Sequence, residues 1–352
     1  MPNRKHKSRV LNEMSISCLA FERPIVELEK TIEQLKEHTK NGIDLSGEIK
    51  SAEKKLEKAL RETFENLTPW QRVQVARHPL RPYTLDYIRA LAEDFIEMHG
   101  DRVFGDDKAI ITGFGKLEGK PVCLIGHQKG RDTKENLMRC FGSAHPEGYR
   151  KAIRIMKLAS KFDVPIVCFI DTPGAYPGIG AEERGQAGAI AYNLREMYGL
   201  NVPVIAIVIG EGGSGGALGI GIGDRVLILE NAYYSVISPE GCAAILWKDP
   251  ARAPDAANAL KLTSYDLKEL GIVDEIIKEP LGGGHRDFHK TVENVKAVIL
   301  KNLKELSDLS KKELLEMRYD KYRKMGVFQE ADEPTPAELA KTSGEKIEDE
   351  AE

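Results

Sequence analysis

Several absences narrow the reading of this 352-residue sequence before any motif is considered. A basic excess is missing: 51 Lys+Arg stand against 55 Asp+Glu, for a net charge of −4. That balance argues against a chain that lives on nucleic acid phosphates, whose binding draws on a surplus of Lys and Arg. No run approaches the ~18 apolar residues of a membrane-spanning helix, and the longest candidate, around 202–210, is strand-sized. None of the five cysteines (Cys18, Cys123, Cys140, Cys168, Cys242) forms a C-x-x-C pair, so a thiolate zinc site, and with it any metal in this chain, is not expected. Their odd number and irregular spacing suit a reducing compartment. The basic opening MPNRKHKSRV is followed by no apolar stretch of ~7–15 residues, so no secretory signal is expected. A P-loop is also missing, because no Gly-Lys pair is followed by Ser or Thr. What is present, 41% hydrophobic residues, suffices for a sizeable core. The expectation is a soluble, cytoplasmic, globular protein with neither nucleic acid nor membrane as partner.

Composition divides the chain into four parts. Residues 1–23 read as a flexible lead-in. Residues 24–66 read as a helical hairpin: Ile25, Leu28, Ile32 and Leu35 form one apolar stripe, Asn41-Gly42 breaks it, and a second pattern runs from Leu45 through Ile49, Leu56 and Leu60. With so few heptads, the stripe is expected to pack on the chain's own body and not on a coiled-coil partner. The body, 67–322, opens with Pro69, Pro79 and Pro82 ahead of a helix from about Thr84 to Met98. Apolar strands follow at 119–130, 164–174, 202–213 and 224–237, with helices at 148–162 and 183–199 between them. Strands apolar on both faces, alternating with helices, predict an α/β fold with a mostly parallel sheet. Two helices, near 287–306 and onward to about Tyr322, close the body. The tail, 323–352, is expected to stay unfolded, since residues 330–352 hold nine acids and two bases.

Fourteen of the 32 glycines fall within 171–223, where an even spread would put about five. They concentrate in DTPGAYPGIGAEERGQ (171–186) and GEGGSGGALGIGIG (210–223), each placed after an apolar strand and before a helix. At such a junction bare backbone N–H groups point out of the loop, which suits an anion or a transient oxyanion. Tight turns and close helix–strand packing are the competing explanation. Gly210-x-Gly212-x-x-Gly215, with Glu230 twenty residues on, matches a dinucleotide fingerprint. However, Gly219, Gly221 and Gly223 riddle the helix that should follow, and the motif does not open a first strand–helix unit. Gly212-x-Ser214-x-Gly216 also fits a nucleophile elbow, which makes a serine hydrolase the alternative function, with Asp274 and His285 or His289 as partners. Asp171 reads as a turn cap more than a general acid, and Glu182, Glu183 and Arg184 as a helix opening. Lys129 and Arg131, with Lys134, form a basic loop suited equally to phosphates or to solvent. Trp70, Tyr83 and Tyr87 read as packing residues.

The runs TPWQRVQVARHPLRPYTLDYI (68–88), HGDRVFGDD (99–107), GHQKGRDTKEN (126–136), PEGYRKA (146–152), the two glycine-rich stretches and YYSVISPEGCAAILWKD (233–249) resemble the alpha-subunit family of bacterial acetyl-CoA carboxylase carboxyltransferase. The resemblance runs from about Phe21 to Leu303. It departs at Cys140, where asparagine is commoner, at Ser143-Ala144 and at Gly188, where an acid is frequent. It implies a crotonase-like fold of repeated β-β-α units, and transfer of a carboxyl group from carboxybiotin, held on a separate biotin carrier protein, to acetyl-CoA. The product is malonyl-CoA, in the committed step of fatty acid synthesis. It further implies activity only with a beta subunit, as an alpha2beta2 assembly alongside biotin carboxyl carrier protein and biotin carboxylase, the beta chain bringing a zinc ribbon. The resemblance assigns the amides of Gly215, Gly216 and Ala217 as oxyanion donors and Gly174 and Ala175 as the facing wall. Tyr176, Gly178, Gly212, Gly213, Lys129 and Arg131 are the remaining substrate-binding candidates. Glycine corners fit such chemistry, because an enolate oxygen and a ureido oxygen both call for fixed N–H donors.

Overall fold

The computed structural model describes residues 18–40 and 43–327. The Asn41-Gly42 break, most of the lead-in and the acidic tail lie outside the described residues. Two amphipathic helices come first, α1 (Arg23–Lys40) and α2 (Ser46–Phe64), followed by α3 (Pro69–Ala76) and α4 (Thr84–Leu91). Thr68 and Gln71 cap α3 reciprocally, with Pro69 in the first turn where no amide partner is lost. The helix expected to reach Met98 stops at Leu91, and the chain turns into strand β1 (Glu93–Glu97). Pairing at the sheet edge overrides the helical pattern there: Phe95 lies over Gly113 of β2 (Ile110–Leu117), where any Cβ would meet its ring at 2.6 Å.

The chain continues through β3 (Lys120–His127), α5 (Thr133–Met138), α6 (Pro146–Lys161), β4 (Ile166–Thr172), α7 (Ile179–Glu183), α8 (Gln186–Tyr198) and β5 (Val204–Gly213). Then come α9 (Ser214–Leu218), β6 (Arg225–Leu229), β7 (Tyr233–Ser235), α10 (Pro239–Trp247), α11 (Ala253–Ala259), α12 (Ser264–Glu269), β8 (Glu275–Ile277), α13 (Phe288–Ser307) and α14 (Lys311–Arg323). All eight strands join one sheet in the order β1-β2-β3-β4-β5-β6-β8, with β7 paired to β5. The β1–β2 and β2–β3 pairings are antiparallel and the rest parallel. The 224–237 segment, expected as one strand, is thus two. A turn at 230–232 lifts β7 past the end of β6 onto Glu211–Gly213 of β5. Every residue of β4 and β5 is buried, as strands covered on both faces require.

Buried ion pairs fasten both ends of the described chain to this body. Arg318 of α14, fully buried, grips both carboxylate oxygens of Asp224 (2.7 and 2.9 Å) and donates to the carbonyls of Met197, Leu200 and Val202. Glu22, placed by composition in the flexible lead-in, is instead buried after a short 3-10 turn, where it meets His285 at 3.0 Å and Arg286 at 3.3 Å. The base of the α1–α2 hairpin packs on the body through Ile25, Phe64, Leu67 and Val75. No helix among the described residues is long and apolar enough to cross a membrane.

Candidate active site

The register Thr172↔Gly212 sets the carboxyl ends of β4 and β5 side by side, the edge at which parallel α/β sheets hold their ligands. The two glycine-rich stretches therefore leave the sheet as neighbours. A Cβ on Gly216 would fall 2.5 Å from the Gly174 carbonyl carbon and the Ala175 nitrogen, and one on Gly213 would strike the Pro173 carbonyl. Only bare backbone lets the loops approach this closely, so the packing explanation of the glycines holds at these positions. It leaves the amides in place: Ser214, Gly215 and Gly216 open α9 after the Gly213 cap, and their N–H groups have no partner within their own helix.

Beside this turn lies a cleft of about 460 Å³. Ser214 and Gly215 stand at its wall, and Tyr234, Val236, Leu267, Ile272 and Tyr322 supply most of the rest. Ser214 is exposed, Gly215 half-buried, and Gly216 and Ala217 buried behind them. Gly174 and Ala175, both half-buried, form the opposing backbone. Tyr176 follows, its ring stacked on His145 at 4.1 Å and covering Gly178. Gly212 lies under the ring of Tyr234, where a Cβ would come within 2.8 Å.

Lys129 and Arg131, read from sequence as a basic loop for phosphates or solvent, are both engaged within the chain. The Lys129 ammonium is buried and shared by Asp171 (2.7 Å) and Glu211 (2.6 Å). Burial alone would lower its pKa, but these two carboxylates outweigh it and hold the lysine well above its usual range. Glu211 also accepts from Arg77 (2.6 Å) and from the Tyr233 hydroxyl (2.7 Å). Burial works against its charge, yet Lys129 and Arg77 hold its carboxyl down at about 2. Asp171 accepts the Glu211 amide at 3.0 Å, which ties the ends of β4 and β5 together. Arg131 is stapled to the carbonyls of Pro79 and Arg81, pairs with Asp86 and lies over the Tyr83 ring at 3.9 Å. Lys129 therefore ties together the ends of β4 and β5, while Arg131 is fastened to the 79–86 segment. Arg77, Glu211 and Tyr233 escaped the reading of the sequence. The available signal was an acid inside the apolar run VIAIVIGEGG, which must find a partner when buried.

The hydrolase geometry does not assemble. Ser214 has the left-handed φ of 51° that a nucleophile elbow would show. Yet its proposed base, His285, is buried far along another network, bonded to Glu22 and stacked on His78 with ring centroids 4.0 Å apart. His289 is exposed beside Phe288, and Asp274 accepts the Val226 amide (2.6 Å) and pairs with Lys321. Glu22, His78 and His285 are also the trio among the described residues whose ligand atoms cluster within 4.8 Å. Arg286 occupies the same Glu22 oxygen as His285, and the two imidazoles stack instead of converging, so the trio reads as an ion-pair staple.

Residues 18–326 match the family model described as acetyl co-enzyme A carboxylase carboxyltransferase-like. The chain is 61% identical over 309 residues to the acetyl-coenzyme A carboxylase carboxyl transferase subunit alpha of Bacillus cytotoxicus, covering 88% of this chain and 95% of that one. It is 58% identical over 312 residues to the subunit of the same name in Geobacter metallireducens, covering 89% and 98%. Among solved structures, the transcarboxylase 12S core with methylmalonyl-coenzyme A bound superposes with a TM-score of 0.53 at 20% identity, over 65% of this chain and 42% of that one. A Pseudomonas malonate decarboxylase hetero-tetramer in complex with coenzyme A gives 0.53 at 16% identity, over 67% and 91%. These two likenesses establish a shared fold.

Proposed function

The chain belongs to the acetyl-coenzyme A carboxylase carboxyl transferase alpha-subunit family, and from that membership we propose how its site moves a carboxyl group from carboxybiotin to acetyl-CoA. The fold is the crotonase-like α/β fold of biotin-dependent carboxyltransferases. One observation carries the assignment of residues: unpartnered first-turn amides of α9, braced by Gly174 and Ala175, stand at the wall of an apolar cleft. That cleft suits an uncharged bicyclic ring with one polar oxygen at its end, which is the chemistry of the biotin head group. When bound, carboxybiotin supplies the carboxyl group and afterwards the base for the acetyl methyl proton.

The chain's own residues then have three tasks. The amides of Gly215, Gly216 and Ala217 hold the oxygen on which negative charge develops, each donor being worth about 3–4 kcal/mol of barrier in comparable oxyanion sites. Gly174 and Ala175 fix the position of that turn from the other side. Tyr234, Leu267 and Ile272 keep water off the ring. No side-chain nucleophile is required, in keeping with Ser214 lacking any bond to a histidine among the described residues.

The reading extends to an assembly. Leu218 and Val236 stand exposed at the cleft rim, and Tyr176 and Ile179 on the loop opposite. Apolar side chains around half a site suit burial by a partner. We assign that partner as a beta subunit carrying most of the acyl-CoA site, in an alpha2beta2 unit served by biotin carboxyl carrier protein and biotin carboxylase in the cytoplasm. The test is reconstitution: this chain, a beta subunit and carboxylated carrier should together form malonyl-CoA from acetyl-CoA. Each subunit alone should give none, and turnover by this chain without a partner would reject the shared site.

A further inference from the structure

Away from the cleft, charge is left over. Helices α6 and α8 enclose a groove of about 480 Å³ floored by Ile153 and Ala189. Its rim carries Arg150, Arg154 and Lys157, which recur at i, i+4 and i+7 and so share one face of α6. Arg150 pairs with Asp101 (2.7 Å), while Lys157 (2.6 Å) and Arg195 (2.8 Å) divide Glu196 between them. Lys157 and Arg195 both stand over the ring of Tyr192. Arg102 and Arg154 have no such partner: among the described residues neither makes an ion pair, and their hydrogen bonds go to the carbonyls of His99 and Gly100. Burial depresses the pKa of Arg154 and the neighbouring Arg102 charge adds to this, against the opposing pull of Asp101 and Asp106. Against Arg102, Arg150, Arg154, Lys157 and Arg195 the groove and its edge set Asp101, Asp106, Glu147 and Glu196, of which Asp106 is already held by Lys151 and Glu147 by Arg184.

The chain carries the opposite charge elsewhere. Residues 330–352 hold nine acids and two bases, a net of −7 in a protein whose total is −4, so the remainder carries +3. This segment lies beyond the family match, which ends at residue 326. The chain also leaves the described fold in the right place. Tyr322 of α14 meets Tyr198 of α8 edge-on with centroids 5.3 Å apart, and Arg323 lines a hollow with Arg195 and Tyr198. From Tyr198 back to Gly188 along α8 is about 15 Å at ~1.5 Å per residue. About six extended residues beyond Lys324 span ~20 Å, which brings Glu330, Asp332 and Glu333 within reach of Arg154.

We propose that the acidic segment 330–352 docks on the α6–α8 groove of its own chain, its carboxylates neutralising Arg102 and Arg154. The proposal is independent of the carboxyltransferase assignment, since none of these residues touches the cleft. Pairs of this kind are individually weak and screened by salt, so docking should be reversible and sensitive to ionic strength.

The test uses the full-length chain and a zero-length carbodiimide, which couples a carboxylate to an adjacent lysine amine, with the products mapped by mass spectrometry. A mixture of isotope-labelled and unlabelled protein separates links within a chain from links between chains. The expected result is linkage of the 330–352 carboxylates to Lys157 or Lys161 within one chain, falling about fivefold or more in 0.5 M salt, where the Debye length is only ~4 Å. Arg102→Glu, at an exposed residue, should lower it while leaving the melting temperature close to that of the parent, and the half-buried Arg154→Glu should lower it with a modest loss of stability. Absence of these links at low salt, links formed only between chains, or links undiminished in both variants would overturn the proposal.

Discussion

At the scale of single residues, the site depends on backbone atoms, so the informative substitutions are those that alter an N–H group without filling space. A Cβ on Gly215 meets only Ile190, at 3.6 Å, which is ordinary contact. Gly215→Ala should therefore keep malonyl-CoA formation within a few-fold of the parent. Gly215→Pro removes the amide hydrogen at a first-turn position that tolerates proline, and should lower kcat by about 10²–10³ with an unchanged circular dichroism spectrum. Equal activity in the two variants would reject the oxyanion role. Ser214→Ala should leave most activity, whereas a hydrolase would lose several orders of magnitude. The residues whose surroundings the sequence left open were charged ones. Lys129 and Arg131 looked free because their partners lie 42 and 45 positions away at the nearest, and local pattern carries no signal for such pairing. Burial makes Lys129 structural: Lys129→Met leaves Asp171 without its ammonium partner and Glu211 with Arg77 alone. The variant should lose about 3–5 kcal/mol of stability in denaturant titration, the usual cost of breaking one side of a buried ion pair.

At the scale of elements, periodicity and glycine placement did most of the work, and they failed where tertiary contacts decide. The two hairpin helices, α6, α8 and the buried strands follow their apolar spacing. By contrast, β1 is an edge strand whose sequence Glu-Asp-Phe-Ile-Glu continues a helical pattern. Its identity comes from Phe95 settling on the glycines of β2. The N-terminal anchor was missed for a related reason, since Glu22 is buried by partners more than 250 residues away. That anchor predicts acid sensitivity. Burial raises the Glu22 carboxyl, but bonds from His285, the Leu19 amide and Arg286 together hold it at about 2, below its ordinary 4.5. A depressed carboxyl stabilises the fold fully above its unfolded pKa and loses that contribution as pH falls from about 4.5 towards 2. Burial also depresses the pKa of His285, which Glu22 only partly offsets, so an unfolded imidazole takes up a proton that the folded one resists. Both groups therefore act in the same direction. Hydrogen exchange in α1 and α2 should accelerate as pH falls below about 6, after correction for the intrinsic rate. Glu22→Gln should be less stable at neutral pH by roughly 2–4 kcal/mol and show a flatter pH dependence. Parallel stability curves for parent and variant would dismiss the anchor.

At the scale of the whole molecule, the sheet order explains why one chain presents half a site. The parallel core brings β4 and β5 together, so both glycine corners open on the same edge, and the β5–β7 pairing carries Tyr234 and Val236 to the cleft wall. The rim this leaves is apolar and open: Val236 is 78% exposed and Leu218 39%. The exposed part of such side chains contributes nothing to folding, because water still covers it, and Val236 gains on the order of 1–2 kcal/mol when a partner buries it. Val236→Asp separates those two roles. It should leave the thermal midpoint of the isolated chain unchanged, since no folded contact is lost. In the assembly it places an unpaired carboxylate in a dry interface, which should weaken association with the beta subunit at least tenfold and lower turnover in proportion to the unassembled fraction. Sedimentation of the mixed subunits, with malonyl-CoA formation followed on the same samples, measures both. A variant that assembles normally would show that the partner covers some other face, and the exposed rim would then have to be explained without it.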